Sequence, residues 1–162
     1  MKKAIALILT VILISAFCAC SKREAEIDTT STEESTITEN IITTQKSKTT
    51  MNIKINGENF TAEFYDNKTA QAFADMLPLT INMEELHGNE KYYYLDNSLP
   101  TESSNIGEIN TGDIMLYGSD CLVLFYDTFD TSYSYTRIGY ITDTAGLKDA
   151  VGSGSVTITF EK

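Results

Sequence analysis

From Met51 onward, apolar and polar residues alternate in short runs. Met51, Ile53 and Ile55 alternate with Asn52, Lys54 and Asn56, the period of a strand with one buried face. Asn56-Gly57 is a hairpin turn signal, because both residues tolerate positive φ. Phe60, Ala62 and Phe64 then alternate with Thr61, Glu63 and Tyr65 in a returning strand. The period next changes to that of a helix. Ala70, Phe73, Ala74 and Leu77 share one face, Asp66 or Asn67 can cap the start, and Pro78 cannot continue it. Leu79, Ile81 and Met83 predict another strand. Residues 87–107, rich in Gly, Asn, Pro and Ser, predict a long loop holding one short strand.

Regular patterning returns at residues 113–117. A Gly118-Ser119-Asp120 turn leads to residues 121–127, apolar on both faces and therefore central. A loop through Thr131 precedes a strand at residues 133–142. A short helix over 145–151 and a final strand over 155–161 close the domain. About seven strands and two short helices predict a mainly β fold, a small closed barrel with helices at its ends; closure removes exposed sheet edges.

The first 50 residues follow other rules. Lys2 and Lys3 precede an apolar run ending at Ala19, which is short for a spanning helix of roughly 20 residues. Phe17-Cys18-Ala19-Cys20 resembles a bacterial lipobox: small side chains suit the peptidase, and the Cys20 thiol accepts lipid. Residues 1–19 are thus expected to be a lipoprotein signal peptide. Ordinary secretion and an uncleaved anchor helix are the weaker alternatives. The expected location is the extracytoplasmic face of the cell membrane, held by lipid on Cys20. Residues 20–50 are expected to form a disordered Ser/Thr/Glu-rich tether, spanning roughly 30 Å as a coil and up to about 100 Å when stretched. The folded domain is expected over 51–162.

The formal net charge of −11 becomes about −13 once the two leader lysines are removed, which excludes nucleic acid as a natural partner. With Cys18 lost and Cys20 lipidated, Cys121 remains alone, so no intramolecular disulfide can form. In its apolar run Cys121 reads as a buried inert thiol. The single His87, without a Cys pair, predicts no zinc site, and Asp127, Asp130 and Asp143 match no calcium loop. Gly152-Ser153-Gly154 lacks the spacing of a phosphate loop. No metal or cofactor is expected, and a monomer is expected.

The order of elements resembles the opening of cyclophilins, with residues 60–70 running into a helix whose Phe73 looks like the inward phenylalanine. More closely, residues 51–161 resemble bacterial cyclophilin-like fold proteins. The carrying motifs are Leu77-Pro78-Leu79-Thr80, Gly88-Asn89-Glu90-Lys91-Tyr92, Gly112-Asp113-Ile114-Met115-Leu116-Tyr117-Gly118, Leu124-Phe125-Tyr126 and Ser132-Tyr133-Ser134-Tyr135-Thr136-Arg137-Ile138-Gly139. The resemblance implies the barrel fold and extends to peptidyl-prolyl isomerase activity. Two departures weigh against that activity. The place of the cyclophilin catalytic arginine offers only Lys91, and the chain has no tryptophan for the groove.

The remaining chemistry lies in aromatic residues. Tyr92, Phe125, Tyr126, Phe129, Tyr133 and Tyr135, with Arg137 and His87, are the candidate lining of a groove for a peptide or small molecule. Each also has a plainer role. The rings can be barrel packing, Arg137 can make a cation–π contact or salt bridge, and His87 can be a solvated loop residue. A surface-tethered binding module is the favoured expectation, with an extracytoplasmic proline isomerase as the alternative.

Overall fold

The structure, a computed structural model, describes residues 48–162. The expected signal peptide, the expected lipidation site at Cys20 and all but the last residues of the expected tether lie outside the described residues. No helix among the described residues is long and apolar enough to cross a membrane.

Nine strands and two short helices form the domain. They are β1 (Thr50–Ile55), β2 (Glu58–Phe64), α1 (Lys68–Ala74), β3 (Leu79–Leu86), β4 (Glu90–Tyr94), β5 (Ser104–Ile109), β6 (Asp113–Tyr117), β7 (Cys121–Phe125), β8 (Phe129–Ile141), α2 (Leu147–Val151) and β9 (Val156–Glu161). Eight of the strands close a ring in the order β2-β1-β9-β3-β4-β7-β6-β8, and β8 returns to β2. All pairings are antiparallel, and the seam sets Ala62 opposite Ile141 and Phe64 opposite Gly139. A Cβ on Gly139 would lie 2.7 Å from the Glu63 carbonyl oxygen, so glycine is what lets β8 meet β2 this closely.

The hairpin at Asn56-Gly57 has φ of 49° and 88°, both positive as an inward-twisting two-residue turn requires. Asn67 caps α1: its Oδ1 accepts from the Ala70 amide at 2.8 Å, and its Nδ2 donates to the Arg137 carbonyl at 2.8 Å. That second bond ties the helix start to the seam strand. The buried face of α1 carries Thr69, Ala70, Phe73 and Ala74. Phe73 is fully buried and meets Phe160 edge to face, with ring centroids 5.5 Å apart. β7 is buried along its whole length, as its two apolar faces require.

The strand count differs from the expected seven. Most of β5 and the first residues of β8, through Thr131, occupy stretches that read as loop. β5 offers only Ile106 and Ile109 as apolar residues, four of its positions are exposed, and its ladder is broken by a bulge between Asn105 and Gly107. No alternation survives there to be read. β8 is 13 residues long and serves two sheets. Its first half pairs with β5, from Ile109 opposite Phe129 to Ser104 opposite Tyr135, and its second half pairs with β6 and β2 inside the ring.

The result is one ring with two separate apolar clusters. Ile53, Phe73, Leu122, Leu124, Ile138 and Phe160 belong to the larger one. Ile109, Met115, Cys121, Val123, Phe125 and Tyr135 form the second, where the β5–β8 arm meets the other side of β6 and β7. Alternation along β7 therefore sends Leu122 and Leu124 to one cluster and Cys121, Val123 and Phe125 to the other.

Candidate functional site

Along β4 the same two-residue period separates two environments. Lys91 is fully buried, while Glu90, Tyr92 and Tyr94 line a groove beside the second cluster. The groove has a volume of about 520 Å³. Its rim comes from the β3–β4 turn (His87, Asn89), its floor includes Cys121 and Val123 of β7, and its far wall is Tyr117 of β6 with Phe129, Tyr133 and Tyr135 of β8.

The rings of this wall form a continuous chain. Tyr133 meets Tyr117 at 6.1 Å, Tyr117 meets Tyr135 at 5.5 Å, Tyr135 meets Phe125 at 5.5 Å, and Phe125 meets Phe129 at 5.8 Å. Three of the four contacts are edge to face, the orientation favoured by the ring quadrupole. Tyr92 and Tyr94 make a further edge-to-face pair at 5.9 Å. Tyr94 and Tyr133 are each 61% exposed, so their rings face solvent although they could have been buried in the cluster beneath.

The electrostatics of the groove are acidic and acceptor-rich. Burial holds the Glu90 carboxyl above its ordinary range, with His87 pulling in the opposite direction. Burial, aided by Glu90, pushes the Tyr135 phenol up to about 12 and the Cys121 thiol up to about 11. Cys121 is thus a protonated floor residue with no nucleophilic character at neutral pH. The Tyr92 hydroxyl donates to Glu84 at 2.8 Å. The Asn89 backbone carbonyl accepts from the Tyr126 amide at 2.9 Å, but its side-chain Oδ1 is buried without a hydrogen-bond partner. Neither lysine nor arginine is among the lining residues.

Of the residues singled out from sequence, His87, Tyr92, Phe129, Tyr133 and Tyr135 line this groove. Phe125 lies beneath it, fully buried against Phe129 and Tyr135. Tyr126 and Arg137 are not part of it. Tyr126 follows Phe125 and so points to the opposite side of the strand end, where its hydroxyl donates to Glu85 at 2.6 Å. Arg137 lies four residues beyond Tyr133, about 13 Å further along the strand. Its guanidinium sits 5.6 Å from the Tyr65 ring and 3.8 Å from Asp113. Sequence reasoning missed Tyr117, Asn89 and Glu90 as lining residues. For Tyr117 the signal was there: Met115 and Tyr117 share a parity opposite to Ile114 and Leu116.

Lys91 is the other residue that sequence reasoning did not place. Its ammonium donates to the Gly152 carbonyl at 2.9 Å, to the Gly154 carbonyl at 2.6 Å and to the Glu85 carboxylate, using all three of its protons. The Tyr126 ring covers it at 5.3 Å. A charge with no solvent exposure is thereby fully paired, and the α2–β9 loop is pinned to β4.

A second concavity, of about 500 Å³, lies beside α1 and Tyr140. Its charged groups already serve one another: Lys48 donates to Glu63 at 2.6 Å, and Tyr140 donates to the same carboxylate.

The comparisons with known proteins agree with this architecture. A search among curated proteins gives no significant match. Among solved structures, a hypothetical protein of Archaeoglobus fulgidus, known from its solution structure, shares the fold with a TM-score of 0.54 at 20% identity; the match covers 70% of this chain and 94% of that one. The family described as the Cyclophilin-like family matches residues 53–161, which takes in every strand of the closed ring and both walls of the groove. On the strength of that match and the eight-stranded ring, the chain belongs to the cyclophilin-like family.

Proposed function

We propose that this protein is a membrane-tethered binding module, whose barrel presents the tyrosine-walled groove to a peptide or small-molecule ligand. The lipobox-like sequence ending at Cys20 supports the tethering. The groove itself carries the binding reading: five tyrosines, two of them largely exposed, surround a cavity of about 520 Å³, a size suited to a small ligand. Tyrosine supplies apolar contact area and a hydrogen-bonding tip at little entropic cost.

The alternative, catalysis of proline isomerisation, needs a cation that donates to the prolyl nitrogen and weakens the partial double bond. The groove offers neither lysine nor arginine, and its one basic side chain, His87, stands beside Glu90 at the rim. Lys91, the nearest cation in sequence, spends its protons on Glu85, Gly152 and Gly154, and Arg137 lies beside Tyr65.

The test is saturation-transfer NMR of the protein with a library of small apolar, aromatic and short-peptide compounds. It is paired with an isomerisation assay on an alanyl-prolyl peptide. Binders are expected whose signals fall at least fivefold in Tyr133→Ala, a change at an exposed position that leaves the thermal midpoint within about 2 °C. The isomerisation rate is expected to equal that of buffer. A library without binders, or binders indifferent to Tyr133→Ala, refutes the binding reading. A catalysed isomerisation rate replaces it with the enzymatic one.

A further inference from the structure

The groove differs from a plain apolar cleft in its polar groups. Glu90 and Asp130 both line it; His87 at the rim is its one basic side chain, and neither lysine nor arginine is among the lining residues. Several lysines elsewhere in the described residues are paired: Lys91 with Glu85, Lys148 with Asp127 at 2.7 Å and Lys54 with Glu161 at 2.9 Å. The Glu90 side chain is held partly buried in β4, where loss of hydration is costly and His87 offsets it only in part. Asn89, the residue before it, carries the one buried side-chain oxygen without a hydrogen-bond partner among the described residues. A buried carbonyl oxygen of this kind lacks an N–H donor.

The remaining lining is aromatic. The face of a phenol ring is the negative end of its quadrupole, and a cation within about 6 Å of the centroid is attracted to it. Among the described residues this contact occurs three times, Lys48 over Tyr140, Lys91 over Tyr126 and Arg137 over Tyr65, each outside the groove. In the groove the rings of Tyr92, Tyr94, Tyr117 and Tyr133 have no such partner. A net charge of −11 adds a long-range attraction for positive ligands.

We infer that the groove takes an alkylammonium cation: a protonated amine on a short apolar chain, carried either by a free amine or by a lysine side chain. The amine would donate to the Glu90 carboxylate, and its methylenes would lie along the tyrosine rings. This inference rests on the binding reading above and gives it a ligand class.

Isothermal titration calorimetry with two matched pairs of probes tests it. The first pair is n-pentylammonium and 1-pentanol. The second is a blocked Gly-Lys-Gly peptide and its norleucine counterpart. At least one charged member is expected to bind tenfold or more tightly than its neutral partner, and which pair does so identifies the source of the amine. Glu90→Gln is expected to erase about tenfold of that preference. Tyr133→Ala is expected to weaken the charged member at least fivefold with the thermal midpoint preserved. Equal affinity within each pair overturns the cation reading and leaves the groove as a neutral binding site. No binding of any probe, while the library still yields groove binders, overturns the cation reading alone. A preference that survives both substitutions places the cation elsewhere and overturns it as well.

Discussion

Lys91→Met is expected to lower the unfolding free energy by about 3 kcal/mol, read as a fall in the urea midpoint at an unchanged m-value. The side chain is fully buried, yet its charge is answered by one carboxylate and two carbonyl oxygens. Methionine keeps the volume and removes the donors. The carbonyls of Gly152 and Gly154 are then left without their partner, and so is Glu85. Removing one member of a buried pair costs roughly 3–5 kcal/mol. The low end applies because the Glu85 side chain retains 23% of its exposure and can recover water.

The acid limb of stability carries the same interaction. Burial works to raise the Glu85 carboxyl, but the bonds from Lys91 and from the Tyr126 hydroxyl outweigh it and hold the group below its ordinary value of 4.5. A carboxyl whose folded value is depressed stabilises the fold above its unfolded value and loses that contribution as pH falls through the folded one. Wild-type stability should therefore fall on acidification below about pH 4.5, and Lys91→Met should flatten that slope. In the double variant Lys91→Met/Glu85→Gln the losses should sum to less than those of the single variants, because the two groups share one interaction. A loss under about 1 kcal/mol in Lys91→Met would mean that the ammonium reaches water in solution.

Phe73→Ala is expected to cost about 3–5 kcal/mol, the range for emptying a buried aromatic site. Against a total stability of roughly 5–15 kcal/mol for a domain of this size, the variant should be partly unfolded at 37 °C. The ring lies on the buried face of α1 and meets Phe160 of β9 at 5.5 Å. α1 has only seven residues, too few to be stable by helix propensity alone. Its hold on the barrel comes from this ring and from the Asn67 cap. Phe73→Leu, which keeps most of the apolar volume, should cost under about 2 kcal/mol. Thermal and urea denaturation of both variants check this, and equal losses in the two would show that the edge-to-face contact matters more than the volume.

How much of this was legible in the sequence depends on what each residue faces. β1, β2 and β9 have one dry and one wet side, so their alternation could be read directly. β7 could be read as central because both its sides are dry. Asp66-Asn67 announced the start of α1 through their capping chemistry, and Asn67 is the residue that caps it. β5 and the first residues of β8, through Thr131, were illegible because an arm laid over an outer face needs few apolar residues, and a bulge breaks its period.

The groove was half legible. Its aromatic content stood out, but proximity in sequence is not proximity on a sheet. Phe125 and Tyr126 are neighbours in the chain and point to opposite sides. Tyr133 and Arg137 share a parity and lie apart along the strand. The long-range partners of Lys91, at Gly152 and Gly154, carry no local signal at all, since nothing in residues 85–94 indicates that a lysine there is buried.

The central claim is that ligands sit on the outer aromatic wall between β4 and the β5–β8 arm. Amide chemical-shift mapping with the tightest binder from the screen tests this most directly. The largest perturbations are expected on Glu90, Tyr92, Tyr94, Val123, Tyr133 and Tyr135, with Gly152 and Gly154 quiet. Perturbations centred on Tyr65 and Tyr140, or on the Lys91–Tyr126 end of the barrel, would contradict it.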